Sequence, residues 1–333
     1  MLRLPGFRVA SPTTIAEAVA ALAEPGARPI AGGTDLLPNL KHRLGAPTVL
    51  VQLSRLPLRH VELRDGALCV GAGVVLADLA EHPLVRTHAP SLARAAGLVA
   101  GPTLRNLGTL GGNLHLDTRC RYVNQTPLWR EALGGCLKSH GDRCHVVPGG
   151  QTCVAALSSD CAPVLVALDA TLTLHGPAGA RTVALADYYR ADGTAHTGRA
   201  AGELATEIRV PLAPGPRRET YVKWTVRKSI DFPLISIAMR FDLADDAIAA
   251  PIVGARVVVG ALAATPKAVR KLEPVRGRRL DDPATADAIA ALVAAQCKPL
   301  PNLPYDADYR RAVLPVHVRR GIAALVAAEA SHG

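Results

Sequence analysis

Phenylalanine is nearly missing: Phe7, Phe232 and Phe241 are the only three in 333 residues, and aromatics together make up 3% of the chain. A core built without them is filled by Ala, Val and Leu, and no broad stacking surface for nucleic-acid bases can form. Also lacking is any apolar run approaching the roughly 20 residues of a membrane-spanning helix. The opening residues MLRLPGFRVASPTTIAEA hold no long apolar core of a secretion signal. These absences give the expectation of a cytoplasmic protein with no membrane span and no nucleic-acid partner. Seven cysteines are too few for a disulfide scaffold in a chain of this length, and an odd number cannot pair completely. The formal charge of +10 is spread over arginines such as Arg217, Arg218, Arg227 and Arg240, with no lysine-rich tail. On its own it favours anionic partners without choosing among them.

What is present reads as three units. In residues 1–55, Thr14 and Glu17 have capping-box spacing ahead of AVAALAEPG, Gly26 is a stop, and the strands RPI and TVLVQL flank AGGTDLL. In residues 56–215, the strands VELRDG and ALCVGAG lead to helices at VLADLAEH and SLARAAGLVA and then to a loop, TLRNLGTLGGNLHL, at 103–116. A segment at about 116–156 interrupts this unit before CAPVLVALDATLTLHG turns from helix to strand. An inserted loop of that length needs its own source of order. Residues 216–333 run from strands, TYVKWTVRKSIDFPLISIAMRFDL and ARVVVGAL, to helices, DDPATADAIAALVAAQ and HVRRGIAALVAAEA. Strands followed by helices make an α+β class.

Two glycine-rich segments carry the first chemical signal. In AGGTDLL, Gly32 and Gly33 follow a strand and precede Thr34 and Asp35; in GTLGGN, Gly111 and Gly112 stand beside Thr109 and Asn113. Glycines let backbone approach a ligand and turn its amides toward phosphate. Neither segment is GxGxxG or GxxxxGK[ST], so nicotinamide-type and P-loop sites have no support. Each alone is equally a tight turn, whereas two in different subdomains can clamp an extended dinucleotide.

The second signal is Cys120, Cys136, Cys144 and Cys153, spaced C-x15-C-x7-C-x8-C within the inserted segment. Four thiolates suit a structural zinc, an iron–sulfur group, or no metal at all. Wide spacing without CxxC pairs favours a loop wrapped around a larger group, and Gly134, Gly135, Gly141, Gly149 and Gly150 permit the bends. Cys69, Cys161 and Cys297 read as small buried residues, and His115, His140 and His145 as hydrogen-bonding or loop residues.

The two glycine segments, with YVKW and DFPLISIA, resemble the FAD-binding medium subunits of the xanthine dehydrogenase and carbon monoxide dehydrogenase family over essentially the whole chain. The resemblance implies a two-part FAD-binding domain with an inserted iron–sulfur loop and a smaller α+β C-terminal domain. It implies that Ala31, Gly32, Gly33, Thr34, Asp35 and Leu36 line the flavin diphosphate. Thr109, Leu110, Gly111, Gly112 and Asn113 form its second wall, Asp160 faces a ribose or another polar part of FAD, and Lys223 stands beside the flavin. Read from the residues alone, Asp160 equally caps the helix at CAPVLVAL, and Lys223 is a solvated charge beside Tyr221 and Trp224.

Most of that family passes quickly from GGN to SD-x-x-P. The insertion here, with LDTRC, VNQ, CLK and D-x-CHV-x-P, resembles the one in β subunits of 4-hydroxybenzoyl-CoA reductases, which holds a [4Fe-4S] cluster. This implies Cys120, Cys136, Cys144 and Cys153 as ligands and an electron-transfer role with no catalytic residue in the chain. Also implied are a large molybdopterin-binding subunit, a small subunit with two [2Fe-2S] clusters, a dimer of heterotrimers, and ferredoxin as donor, attracted by Arg119, Arg121, Arg130, Lys138 and Arg143. The alternative is the medium subunit of another molybdenum hydroxylase, with electrons leaving through the same flavin.

Overall fold

The computed structural model describes residues 2–330. β1 (Arg8–Ala10) leads into α1 (Ile15–Leu22), whose start is the capping box read from the sequence. Thr14 Oγ1 accepts from the Glu17 amide at 3.2 Å, and the Glu17 carboxylate accepts from the Thr14 amide at 3.2 Å. α1 buries Ala18 and Leu22 over β2 (Ala27–Ile30) and, beyond α2 (Leu36–Lys41), β3 (Val49–Gln52). The three strands form a parallel sheet in the order β1-β3-β2, which α1 and α2 make possible as crossovers.

β4 (Val61–Arg64) and β5 (Ala67–Gly71) form a hairpin whose turn residues, Asp65 and Gly66, both take positive φ. That handedness matches the twist of the flanking strands. Short helices follow: α3 (Leu76–Glu81), α4 (Pro83–His88) and α5 (Pro90–Gly97), the last two opened by a proline where no amide partner is needed. The segment expected as a loop at 103–116 instead folds as α6 (Pro102–Arg105) and α7 (Leu110–Leu114). Pro102 starts the first, and Thr109 Oγ1 caps the second by accepting from the Gly112 amide at 3.0 Å. The two glycines of α7 cost about 1 kcal/mol each, more than one cap returns, and the helix is held as well by burial of Leu110 and Leu114 in the main core.

The inserted segment carries α8 (Pro127–Ala132) and no strand. Its base is closed by Arg119 and Ala156, which exchange two backbone hydrogen bonds of 2.7 Å. The chain then buries every residue of α9 (Cys161–Ala167) and continues through β6 (Thr171–Gly176), β7 (Gly179–Ala184), α10 (Leu185–Tyr188) and β8 (Leu204–Pro211). The antiparallel sheet has the order β4-β5-β8-β6-β7.

A second antiparallel sheet, ordered β12-β11-β10-β9, comprises β9 (Arg217–Trp224), β10 (Ile235–Leu243), β11 (Ile252–Gly260) and β12 (Lys267–Ala268). Period-two alternation gives β10 one fully apolar face and one mixed face of Ser236, Ala238, Arg240 and Asp242. Ile235, Ile237, Met239, Phe241 and Leu243 pack under α11 (Pro283–Gln296) and α12 (Ala307–Ala330). Small Ala238 lies on the opposite side, in the core that contains α5 and α9. Because that core joins the two antiparallel sheets, the C-terminal part is fastened to the rest by apolar burial, at about 25 cal/mol per Å². Among the described residues no helix is long and apolar enough to cross a membrane.

Candidate functional site

Where the parallel sheet meets α7, an open cavity of about 560 Å³ runs between the two glycine segments, within the usual size of a cofactor cleft. The segments touch through backbone. A Cβ on Gly32 would overlap the carbonyl of Leu107, so no other residue permits this approach. Ala31 to Leu36 line the cavity, as do Thr109, Gly111, Gly112 and Asn113. Leu110 does not: its side chain is fully buried in the main core.

The two walls differ in what they offer. The amides of Gly33 and Thr34 donate to no protein acceptor among the described residues, which leaves them for an anionic ligand. In the second wall the amides are already used: Leu110 donates to Val74, Gly111 to Ala72 at 2.8 Å, and Gly112 to Thr109. Asn113 Oδ1 is also occupied, accepting from the Ser159 hydroxyl at 2.7 Å and the Cys161 amide at 3.1 Å. The second wall therefore supplies shape and close backbone, and its glycine amides are not free as expected. The donors it keeps for a ligand are the Thr109 amide and the Asn113 side-chain NH2, neither of which has a protein acceptor among the described residues. Asp35 turns outward from its loop, binding the Arg119 guanidinium and accepting from the Asp117 amide at 3.1 Å.

Sequence reading missed Arg28, Arg59, Arg199 and the Thr194–Thr197 segment, all in the cavity wall. The three guanidinium groups complement a diphosphate. Arg28 lies on β2 just before the glycines, a placement that could have marked it; the 194–199 stretch carries no local signal and arrives through the sheet topology.

Asp160 and Lys223 come together but away from the cavity lining. Lys223 Nζ donates to Asp160 Oδ2 at 3.1 Å and to the Leu98 carbonyl at 2.8 Å, and the Tyr221 hydroxyl donates to Asp160 Oδ1 at 2.5 Å. Burial raises the Asp160 pKa, and the Lys223 charge and Tyr221 hydrogen bond oppose it. Asp160 occupies the N-cap position of α9 without capping it; the Ala162 amide is taken by Ser159 Oγ at 3.0 Å. Lys223 is not a solvated charge either, since its side chain is 6% exposed. The pair links α9 to β9 and so fixes the C-terminal sheet beside Val99 and Ala100, which do line the cavity.

Cys120, Cys136, Cys144 and Cys153 line one small cavity, together with Tyr122, Lys138 and His145. A tight turn sets up the middle pair: the Ser139 and Gly141 amides donate to the Cys136 carbonyl at 2.7 and 3.0 Å, and Leu137 pairs with Arg143. Of the glycines expected to bend the loop, Gly134, Gly135 and Gly149 adopt positive φ. All four cysteines are free thiols. Burial pushes the Cys120 thiol up to about 11, against the Tyr122 and Val123 amides that favour its thiolate; the Cys153 thiol is raised by burial and opposed by the Ala155 amide. Among the described residues no three His, Cys, Asp or Glu side chains are grouped to hold a single metal ion. The space between the thiols is about 20 Å³.

The histidines nearby are engaged elsewhere. His145 Nε2 bonds the Gly135 carbonyl at 2.6 Å, and His115 bridges the Gly111 carbonyl and the Tyr188 hydroxyl at 2.7 Å each. Burial holds His115 down to about 4, so it is neutral at pH 7. Cys69, Cys161 and Cys297 are buried outside the cysteine cavity.

The surface charge expected around the insertion is smaller than the sequence implies. Arg130 is buried, donating to the carbonyls of Val123, Gln125 and His42. Lys138 points inward, and Arg119 binds Asp35 and lies 4.7 Å from the centre of the Phe232 ring. Arg121 and Arg143 remain exposed, the latter beside Asp142.

Comparison with known proteins adds family evidence. Residues 5–213 match the FAD binding domain in molybdopterin dehydrogenase, and residues 220–325 match the CO dehydrogenase flavoprotein C-terminal domain. The chain is 37% identical over 259 residues to the aldehyde oxidoreductase FAD-binding subunit PaoB of Escherichia coli (strain K12), covering 75% of this chain and 79% of the relative. It is 29% identical over 324 residues to the carbon monoxide dehydrogenase medium chain of Hydrogenophaga pseudoflava, covering 96% of each. A crystal structure of the Cu,Mo-CO dehydrogenase superposes with a TM-score of 0.78 at 28% identity, over 98% of this chain and 99% of that one.

Proposed function

The chain belongs to the FAD-binding subunits of the molybdopterin dehydrogenases, and we infer that within this family it is an electron relay that joins an iron–sulfur group to its flavin, in a 4-hydroxybenzoyl-CoA reductase. As the FAD subunit of a multi-subunit molybdenum oxidoreductase, it leaves substrate chemistry to a large molybdopterin-binding partner. The observation that carries the relay reading is the convergence of four thiols from a 34-residue stretch, Cys120 to Cys153, on one cavity.

The residues fit both groups. For FAD, the Gly33 and Thr34 amides and the cations Arg28, Arg59 and Arg199 receive the diphosphate, and the close backbone of Gly32 keeps the cleft narrow. FAD supplies exchange between one-electron and two-electron steps. For the cysteines, an all-thiolate donor set is the chemistry of an iron–sulfur group. The same four thiolates also suit a tetrahedral structural zinc, and metal analysis of the complex separates the two. Cys120 and Cys153, whose thiols burial raises, would give up their protons on binding the group. The ligands are Cys120, Cys136, Cys144 and Cys153, and the group they hold, [4Fe-4S], supplies one-electron exchange.

In this reading a small subunit with two [2Fe-2S] clusters carries electrons onward, the donor is ferredoxin, and the assembly is a dimer of heterotrimers. Exposed Arg121 and Arg143 are the part of the basic surface still available to an acidic donor. The 37% identity to an aldehyde oxidoreductase subunit favours a second reading, in which electrons from aldehyde oxidation run outward through the same groups. Purification of the intact complex, quantification of Mo, Fe and FAD, and parallel assays decide between them. Ferredoxin-dependent reduction of 4-hydroxybenzoyl-CoA supports the first; aldehyde oxidation without that reduction replaces it with the second.

A further inference from the structure

Lys138 belongs to both sites at once. Its side chain lines the cysteine cavity and is 10% exposed, and its ammonium is fixed by three acceptors: Asp117 Oδ1 at 2.6 Å, Thr118 Oγ1 at 2.5 Å and the Gly193 carbonyl at 2.6 Å. Asp117 lines the flavin cavity. The Thr118 hydroxyl also donates to Gly193, at 2.6 Å. Gly193 lies directly on the cysteine side: its amide donates to the Cys153 carbonyl at 2.8 Å, and a Cβ there would stand 2.9 Å from Cys153 Sγ. Thr194 and Ala195, the next residues, line the flavin cavity. The partition between the sites is therefore one layer of chain thick, and Lys138 pins its two halves together.

We propose that Lys138 is a positioning residue for electron exchange across this partition, its fixed charge holding the cysteine-bound group at a higher reduction potential than the four thiolates alone would give. The proposal rests on the iron–sulfur reading. Four thiolates leave a [4Fe-4S] group with net negative charge that grows by one on reduction, and a cation held in a poorly solvated layer stabilises the more negative form. The field of Lys138 reaches the flavin side: the His196 imidazole, in the flavin-cavity wall, is lowered by burial and lowered further by Lys138. Asp117 carries the opposite charge, so its removal has the opposite sign.

The test is an EPR-monitored potentiometric titration of the assembled complex, native and with K138Q, K138R or D117N, with iron and sulfide per FAD measured on each. K138Q lowers the midpoint by about a tenfold change in the reduction equilibrium, about 59 mV for one electron. K138R stays near native, and D117N raises the midpoint. A merely structural Lys138 would not give shifts of opposite sign. Native-like potentials in K138Q and D117N at full iron content, or shifts in the same direction, overturn the proposal. If K138Q fails to hold iron, D117N decides alone, and an unchanged midpoint there overturns it. A native complex without iron at these cysteines removes the iron–sulfur reading itself, a result seen before any variant is made.

Discussion

The flavin cavity and the cysteine insertion sit on either side of one thin wall, yet they are built on opposite principles. The cavity, of about 560 Å³, is held open by sheets and helices whose apolar cores lie elsewhere. The insertion has a buried core of Cys120, Val123, Cys153 and Ala155, half of it the proposed ligands, around a space of about 20 Å³. The first site is a property of the fold; under the proposed reading the second draws part of its order from the group it would bind.

The difference is broken most severely by substituting a ligand. Cys136→Ser is expected to abolish iron binding and make residues 116–156 protease-sensitive, while FAD content and the melting of the main body stay near native. Loss of FAD in parallel would show that the two regions are not separable. Gly32→Val attacks the other side: its side chain collides with the Leu107 backbone, so FAD binding should weaken by about 100-fold or more, roughly 3 kcal/mol. Iron at the cysteines should persist, and flavin fluorescence with iron analysis reads both.

Three further substitutions test the main body, where stability should come from packing and satisfied polar groups. Asp160→Asn leaves Lys223 buried without its counter-charge and should cost about 3 kcal/mol in denaturant unfolding. His115 gives a pH signature. Its folded pKa is about 4 against an ordinary 6.5, so the unfolded state takes up a proton first as pH falls. Stability from this group is complete above pH 6.5, declines toward pH 4 and then levels off. At pH 5 the loss is about 2 kcal/mol, and His115→Gln should flatten that part of the profile. Thr14→Ala removes the α1 cap and should cost about 1 kcal/mol.

Legibility in the sequence followed the same division. Elements governed by local chemistry stood out: the Thr14–Glu17 box, the strands around AGGTDLL, the helix-to-strand change after Asp160, and the strands followed by helices of residues 216–333. The glycine segments were legible as a site because close backbone approach requires glycine, as Gly32 against Leu107 demonstrates. Roles that depend on long-range pairing were not. Nothing local shows that Asp160 reaches β9 instead of capping α9, that Lys138 turns inward to Asp117, or that the 194–199 segment returns to the cavity. The TLGGN amides also looked available, yet Leu110 and Gly111 donate to Val74 and Ala72 just past β5, and Gly112 and Asn113 to Thr109. Composition announces a charge or a donor; only the fold decides what it faces.

The central claim is that four cysteines of this chain hold an iron–sulfur group beside its flavin. The direct measurement is iron and acid-labile sulfide per FAD in the assembled complex, native against Cys136→Ser. The account predicts about four of each fewer per flavin in the variant, with FAD retained. Equal iron in the two proteins, or zinc in the native chain that leaves with the substitution, would contradict it.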